Sequence, residues 1–410
     1  MPVHVLDKYY LGITAIITVA YQLFFFAIAF TCKFDKLTDF AGGTNFVALA
    51  VITIALGTHD LDTPVPRRQI VTTVLLCVWA LRLAGFLLFR ILRTGTDTRF
   101  DDKRNKFFPF LGFWVAQMVW VWTVSLPVTV LNSPGVISRA YINLPRFGSG
   151  RDIAGIVLFG VGFVCEAIAD AQRFRFRDKS QKGQTGPSDR LAFCHTGLFA
   201  WSRHPNYFGE ILVQFGIFTI TSSDTRYAGY NGAHPPFYGA VYASIAGPIL
   251  LTLLLFFVSG MSMSERPAAA KRYAAGGAVW DAYRTYLHRT SILIPLPPAL
   301  YAPLPVWLKR TLLLEFPLYV FDPAKHEVPR AEGPEEGGDN SSGGGNNTNN
   351  NTNNNTNNTT STSSKAAASP TTVTSSVSSA VPPKNAGQND ESASHRKQPH
   401  PSAPRRHDSF

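Results

Sequence analysis

Long apolar runs separated by short polar loops dominate the first 260 residues of the chain. Spanning a hydrocarbon core of roughly 30 Å takes about 20 apolar helical residues, and fewer where a helix is short or re-entrant. Seven runs fit that requirement: residues 9–30, 45–57, 70–92, 111–131, 153–170, 207–221 and 237–260. The pattern therefore predicts an all-α, polytopic membrane helix bundle with about seven transmembrane helices.

The remainder of the chain has a different character. After Met261 it becomes polar, with a helix-like segment over Lys271–Tyr286 and a proline-rich stretch from Pro295 to Pro305, which predicts an interfacial rather than a spanning region. We expect a membrane domain over residues 1–300, a juxtamembrane segment over 301–330 and a disordered tail over 331–410. The tail is rich in Asn, Thr and Ser and cannot bury enough apolar surface to offset the entropy of ordering.

Composition supports a membrane protein and weakens two other classes. Only 16% of the residues are charged, against roughly a quarter in soluble domains. Residues 1–330 carry a net charge of +12, which fits loops lying beside anionic lipid. The basic residues do not alternate with aromatics on a polar segment, so we expect no nucleic-acid partner. The four cysteines lack paired spacing, so we expect no metal site.

The distribution of Lys and Arg over the short loops predicts the orientation. Loops 31–44, 93–110 and 171–205 hold fourteen basic residues, whereas residue 8 and loops 58–69, 132–152 and 222–236 hold seven. The first set should face the cytoplasm. This orientation puts residues 261–330 and the tail in the cytoplasm.

Charged residues fall inside three of the apolar runs, where charge is costly. Glu166 and Asp170 lie at positions i and i+4 of the fifth run, and Arg82 lies midway along the third. The two acids either pair with Arg173 or Arg177 at the helix end or face a cofactor. Arg82 is most simply explained by a pair with an acid on a neighbouring helix.

The densest polar constellation is the run Trp201-Ser-Arg-His-Pro-Asn-Tyr-Phe-Gly-Glu210. Pro205 suits the first turn of a helix, so Arg203 and His204 would lie at the membrane surface. Asn206 and Glu210 are four residues apart and share a helical face with Gln214. A polar stripe on an otherwise apolar helix indicates a face turned into the bundle, and interhelical hydrogen bonding alone explains it poorly.

A second polar cluster follows the last run. Its members combine basic and aromatic side chains: Glu265, Lys271, Arg272, Tyr273, Trp280, Tyr283 and Tyr286, followed by Thr290-Ser-Ile-Leu-Ile-Pro295. Such side chains suit lipid headgroups, and they equally suit a phosphorylated cofactor that bears adenine. No Gly-x-Gly-x-x-Gly follows a predicted strand, so a soluble dinucleotide-binding fold is unsupported.

These motifs resemble the steroid 5-alpha reductase C-terminal superfamily, and within it the branch of multi-spanning proteins labelled DUF1295. The resemblance rests on the Trp201–Glu210 run, on Glu166-x-x-x-Asp170-x-Gln-Arg upstream and on Tyr283-x-x-Tyr286 before Ile294-Pro295. Thr38-Asp-Phe-Ala-Gly-Gly-Thr-Asn-Phe46 and Ala80-Leu-Arg-Leu83 are also similar to that branch. The similarity spans roughly residues 30–300, with the reductase motif region at 150–297.

The resemblance implies an integral membrane oxidoreductase that uses NADPH to reduce a carbon-carbon double bond in a sterol-like or acyl lipid, and it leads us to expect the endoplasmic reticulum membrane. By motif match, Asn206 and Glu210 would contact the nicotinamide end, and Arg177 the phosphate. The full set of implied cofactor-binding residues is Asp170, Arg177, Arg203, His204, Asn206, Tyr207, Glu210 and Tyr286. The pocket would lie between the fifth to seventh helices and segment 261–295, and the lipophilic substrate would enter from the bilayer through the earlier helices.

The catalytic groups are not identified by the motif. The Glu and Tyr that steroid 5-alpha reductases place in their early helices have no counterpart here; Asp39, Asn45, His59 and Asp60 are unranked polar candidates in that half. Glu210 and Tyr207 are the candidate catalytic residues. Two other functions remain open: a methyltransferase of the isoprenylcysteine type that uses S-adenosylmethionine, which shares Arg-His-Pro, and a non-catalytic lipid-binding scaffold.

Overall fold

The computed structural model describes residues 5–33, 36–59, 65–94, 105–137, 146–182, 193–226 and 237–326. The chain divides into Met1–Glu336 and Gly337–Phe410, and every described residue belongs to the first unit. The predicted disordered tail and the candidate Asp60 lie outside the described residues.

The described residues form helices and no named strand, which confirms the predicted fold class. The helices up to the Arg203-His204 pair are α1 Leu11–Thr31, α2 Leu37–Thr58, α3 Arg67–Thr94, α4 Phe107–Val124, α5 Leu126–Leu131, α6 Pro134–Ile137 and α7 Gly150–Gln181. The helices after it are α8 Pro205–Thr221, α9 Tyr238–Ala243, α10 Ala246–Leu253, α11 Met261–Ala275, α12 Gly277–Arg289, α13 Pro298–Tyr301 and α14 Val306–Thr311.

Among the described residues, six helical segments are long and apolar enough to cross a membrane: Leu11–Thr31, Leu37–Thr58, Arg67–Arg93, Phe107–Val124, Gly150–Ser180 and the interrupted Tyr238–Ala275. The remaining predicted run, 207–221, forms α8, a helix of 17 residues. The chain is therefore an integral membrane protein with a helix-bundle architecture.

The second span is longer than the predicted run 45–57. Helix α2 begins at Leu37, so Gly42 and Gly43 lie inside the helix and not in a turn before it. Neighbouring helices pack against both glycines. A Cβ atom at Gly43 would lie 2.7 Å from the Cβ of Ala84, and one at Gly42 would lie 2.9 Å from Nε2 of Gln117. The glycines thus let α2 approach α3 and α4 closely.

Close packing of α7 on α8 positions the candidate site. A Cβ at Gly162 would lie 2.5 Å from the carbonyl oxygen of Gly209, and one at Gly155 would lie 2.6 Å from that of Gly216. On each helix the two glycines are seven residues apart, so both contacts fall on one face. The two backbones therefore touch at the depth where α7 carries Glu166 and α8 carries Glu210.

The ends of α7 are fixed by polar contacts. Ser149 and Asp152 form a reciprocal capping box at its first turn, and Asp152 also accepts from the Nε atom of Arg68 at 2.8 Å. Beyond Asp170 the helix continues through a basic stretch to Gln181. This extension places Arg173 and Arg177 past the apolar part of the helix, at the end predicted to be cytoplasmic.

Candidate cofactor site

The centre of the site is a membrane-embedded ion-pair group. The guanidinium of Arg82 on α3 bonds a carboxylate oxygen of Glu166 through Nη1 and one of Asp170 through Nη2. Exposed fractions are 15% for the Arg82 side chain and 3% for that of Glu166. The predicted pairing of Arg82 with a neighbouring helix is confirmed, and the partner of both acids is Arg82 rather than Arg173 or Arg177.

The polar stripe of α8 faces this group. The carboxyl of Glu210 interacts electrostatically with Glu166, Asp170 and Arg82, and of these three acids Glu166 and Asp170 bond the guanidinium. Several buried polar atoms here have no hydrogen-bond partner among the described residues: Oε2 of Glu166, Oδ1 of Asn206 and both amide atoms of Gln214. Buried polar atoms without partners are costly and mark places where a ligand could provide the missing bonds.

A basic rim lies beside this group. Arg173 and Arg177 of α7 interact electrostatically with the Tyr207 hydroxyl, and Arg90 of α3 interacts with Arg177 and Asp170. Arg90 also pairs with Asp39 at 3.6 Å. We call Arg90, Arg173 and Arg177 the arginine rim. Two guanidinium groups beside the Tyr207 hydroxyl, with the third beside Arg177, provide donors that suit a phosphate.

Arg203 and His204 belong to an adjoining buried group. Arg203 donates to Oε2 of Glu265 at 2.5 Å and to Glu315, and Nε2 of His204 lies 2.6 Å from Oε1 of Glu265. The Tyr301 hydroxyl completes the group by donating to Oε2 of Glu315 at 2.5 Å. We call these five residues the Arg203 cluster, and its bonds tie the start of α8 to α11 and to segment 298–321.

The charges in the Arg203 cluster follow from its neighbours. Burial opposes the charge on Arg203, but the carboxylates of Glu265 and Glu315 outweigh it and raise the pKa of Arg203. Burial lowers the pKa of His204, and the hydrogen bond with Glu265 works against that shift. The His204 ring stacks on Tyr207 with centroids 5.0 Å apart, which links the cluster to the α8 stripe.

An aromatic wall holds Tyr286. The Arg272 guanidinium lies 4.4 Å from the centroid of the Tyr283 ring, and Phe193 lies 4.7 Å from Tyr286 between ring centroids. The Tyr286 hydroxyl donates to the carbonyl of Phe199 at 2.8 Å. Burial raises the pKa of Tyr283 to about 12 and also raises that of Tyr286, so both hydroxyls are neutral at pH 7. Flat rings beside a cation suit an adenine base.

The structure thus distributes the implied site residues over three connected places. Asp170 bonds Arg82, Glu210 interacts electrostatically with that pair, and Tyr207 interacts with Glu210, Asp170 and the arginine rim to which Arg177 belongs. Asn206 lies on the same α8 stripe as Glu210. Arg203 and His204 are engaged in the Arg203 cluster, and Tyr286 lies in the aromatic wall. Their roles toward a cofactor stay predictions.

Sequence reasoning missed Glu315 altogether and did not assign partners to Glu265. The one available signal for Glu315 is its position as a lone acid inside the apolar run Leu312-Leu-Leu-Glu-Phe316, a context in which an acid calls for a partner.

Comparison with known proteins gives one family and no individual relative. Neither the curated proteins nor the solved structures contain a match to the chain. The family model described as "Protein of unknown function (DUF1295)" matches residues 25–290, which include α2 to α12 and the whole arrangement around Arg82. With most of its length matched, including the Arg82 group and the α8 stripe, the chain belongs to the DUF1295 family.

Proposed function

We propose that this protein is a membrane reductase that uses NADPH to reduce a carbon-carbon double bond in a lipophilic compound. The observation that carries the proposal is the arginine rim beside buried polar atoms, Oδ1 of Asn206 among them, that have no hydrogen-bond partner among the described residues. NADPH carries phosphates, which would bind the arginine rim, and a carboxamide, which would bond to the buried polar atoms. The resemblance to steroid 5-alpha reductases supports the same assignment through Asn206 and Glu210.

The residues present fit NADPH. A primary carboxamide donates two N–H groups, and Oδ1 of Asn206 and Oε2 of Glu166 are buried acceptors without a protein partner. Asn206 and Glu210 would hold the carboxamide, and Asp170 and the arginine rim would hold the ribose and phosphate side. Tyr286 and its aromatic neighbours would hold the adenosine. Arg203 and His204 would support the site indirectly, because the bonds of the Arg203 cluster hold the start of α8 in place.

When bound, NADPH supplies a hydride to one carbon of the double bond. The other carbon needs a proton, and Tyr207 and Glu210 are the side chains we assign to deliver it. The Tyr207 hydroxyl interacts electrostatically with Arg173, and the Glu210 carboxyl interacts electrostatically with Glu166, Asp170 and Arg82. The surrounding helices exclude water and so keep the hydride from side reactions.

We further propose that the pocket opens to the cytoplasm of an endoplasmic reticulum membrane and that the tail is cytoplasmic. The support is the number of basic residues in loops 31–44, 93–110 and 171–205, the last of which joins α7 to α8. These loops hold twice as many Lys and Arg residues as residue 8 and the loops assigned to the other side of the membrane. On this topology the arginine rim faces the compartment that contains the nucleotide.

Thermal melting of the detergent-solubilised protein with NADPH, NADH and S-adenosylmethionine in parallel tests the cofactor. A ligand at 100 times its dissociation constant that binds only the folded state stabilises it by about 2.7 kcal/mol. We expect the largest shift with NADPH, a smaller one with NADH and none with S-adenosylmethionine. A shift with S-adenosylmethionine alone would assign a methyltransferase, and no shift at all would leave a lipid-binding scaffold.

Two substitutions on α7 separate the phosphate contact from general effects. Arg177→Gln should remove the preference for NADPH over NADH, because the rim loses one of three guanidinium groups. Arg151→Gln is the matched control, since Arg151 lies at the opposite end of the same helix and donates to the carbonyl of Ser222 at 2.9 Å. Equal preference in wild type and Arg177→Gln would contradict the proposed rim.

A further inference from the structure

The buried face of α1 is polar, which is the reverse of an ordinary amphipathic helix in water. Thr14, Thr18 and Gln22, spaced four residues apart, are buried, whereas Leu23 and Phe24 are exposed on the opposite side. Two further helices contribute to the same interior: Thr38 and Asn45 from α2, and Gln117 from α4, are also buried. We call these six residues the polar seam.

Gln117 organises the seam. Its Nε2 atom donates to Oε1 of Gln22 at 3.0 Å and to the carbonyl of Thr38 at 2.9 Å. The hydroxyls of Thr14 and Thr18 donate to backbone carbonyls of their own helix, at 2.6 and 2.8 Å. These bonds join α1, α2 and α4 and fix the position of the Gln22 side chain.

Two amides of the seam are incompletely bonded. Nε2 of Gln22 and both Nδ2 and Oδ1 of Asn45 are buried and have no hydrogen-bond partner in the part of the chain that the structure describes, and both residues are 0% exposed. Each amide nitrogen carries two N–H groups, so the seam has an excess of donors over acceptors. Inside a membrane such groups are expensive unless a bound oxygen accepts from them.

The depth of Asn45 relates the seam to the candidate cofactor site. Gly43 packs against Ala84, and the Phe46 ring lies 5.2 Å from that of Trp79 between centroids. Asn45, between Gly43 and Phe46 on α2, therefore lies at the membrane depth of residues 80–83 on α3. Arg82 belongs to that stretch, so the unpaired Asn45 amide and the Arg82 group share one level of the bundle.

A cavity adjoins the other end of the seam. It has a volume of about 120 Å³ and a mostly apolar lining that includes Leu11, Trp122, Leu126 and Val130. The indole N–H of Trp122 donates to the carbonyl of Leu11 at 3.2 Å and to Oγ1 of Thr14 at 3.3 Å. Trp122 thus separates an apolar space from the first polar residue of the seam.

We propose that the amides of Asn45 and Gln22 bind the carbonyl oxygen of a lipophilic compound, with the Gln22 side chain held in place by Gln117. The surplus of N–H donors selects an oxygen that accepts hydrogen bonds, and the apolar surroundings select a compound soluble in the bilayer. That this compound is also the one reduced rests on the proposed function, whereas its binding does not. Of the polar candidates in this half of the chain that the structure describes, Asn45 is the one whose amide atoms are buried without a partner among the described residues.

The test uses 4-hexylbenzophenone, a lipophilic ketone that crosslinks to nearby C–H bonds under ultraviolet light, and no nucleotide is added. We expect crosslinks within α1, α2 and α4 of wild type, mapped by peptide mass spectrometry. Asn45→Leu removes the donors of one amide, and the yield there should fall about tenfold. Labelling is measured on the folded, monodisperse fraction, so unfolding cannot imitate loss of binding.

Gln69→Leu is the matched control. Gln69 on α3 is also buried, and neither of its amide atoms has a protein partner, but it does not belong to the seam. Its substitution should leave the crosslinks in the seam unchanged. Equal yield in Asn45→Leu and wild type, or crosslinks confined to lipid-facing side chains, would overturn the proposal. Since no nucleotide is present, neither result depends on whether NADPH binds.

Discussion

Arg82→Met should lower the free energy of unfolding by about 3–5 kcal/mol, the usual loss when one partner of a buried ion pair is removed. The side chain bonds two carboxylates at once, and Glu166 and Asp170 would be left buried without their cation. Methionine retains most of the apolar stem, so the effect reports the lost charge rather than a cavity. Thermal melting in detergent and the yield of folded protein measure it.

Two controls decide whether the charge is the cause. The triple variant Arg82→Met, Glu166→Gln, Asp170→Asn removes all the charges and should regain most of the lost stability. Arg93→Met removes a cation from the same helix near its end, where Arg93 lies 5.9 Å from the Phe89 ring centroid, and should cost little. If the triple variant melts no higher than Arg82→Met alone, the ion pair is not what stabilises this part of the bundle.

Arg203→Met should cost a similar amount, about 3–5 kcal/mol, because it leaves Glu265 and Glu315 without their shared cation. The loss should detach segment 298–321 from α8 and α11, since Glu315 is the link to Arg203. Limited trypsin digestion measures that directly, because Lys309 and Arg310 lie in α14 within the segment. Faster cleavage at these two residues is the expected result.

Tyr301→Phe provides the comparison for that experiment. It removes the hydroxyl that donates to Glu315 but leaves all charges in place, so we expect a smaller loss of stability and little change in cleavage. Cleavage of Arg203→Met at the wild-type rate would contradict the role assigned to the Arg203 cluster.

The apolar runs predicted the spans well where hydropathy alone decides the structure. The run 9–30 corresponds to α1 at Leu11–Thr31, because an uninterrupted apolar segment has no alternative to a helix in a membrane. Hydropathy underestimated the length of α2, because Thr38, Asp39 and the two glycines lower the mean hydropathy of its first turns without breaking the helix. Those residues contact α3 and α4, and such contacts are set by the partner helices.

The interruptions in the last span could not be predicted from the hydropathy pattern. The predicted run 237–260 is divided into α9, α10 and a π-helical turn over Leu254–Val258 before α11 begins at Met261. The interruption at Ser244 and the π turn depend on how neighbouring helices pack. The predicted helix-like segment Lys271–Tyr286 is likewise broken, by Gly276 and Gly277 with φ of 66° and 53°.

The sequence predicted which site residues share a helical face, but it did not predict which residues on other helices they bond. Spacing correctly grouped Asn206, Glu210 and Gln214 on one face of α8, and Glu166 with Asp170 on α7. The bond from Arg82 to both acids joins residues more than 80 positions apart, and the bond from Arg203 to Glu315 joins residues 112 positions apart. Such pairings depend on the tertiary arrangement of the helices.

The most direct test of the reductase assignment follows deuterium from the cofactor into lipid. Membranes that contain the protein are incubated with NADPH deuterated at C4 on either face, and the extracted lipids are compared by mass spectrometry. We expect one class of lipophilic compound to gain one deuterium and one hydrogen from solvent, with wild type and not with Glu210→Gln. No deuterated lipid from either form of NADPH, together with transfer of a labelled methyl group from S-adenosylmethionine, would contradict the account.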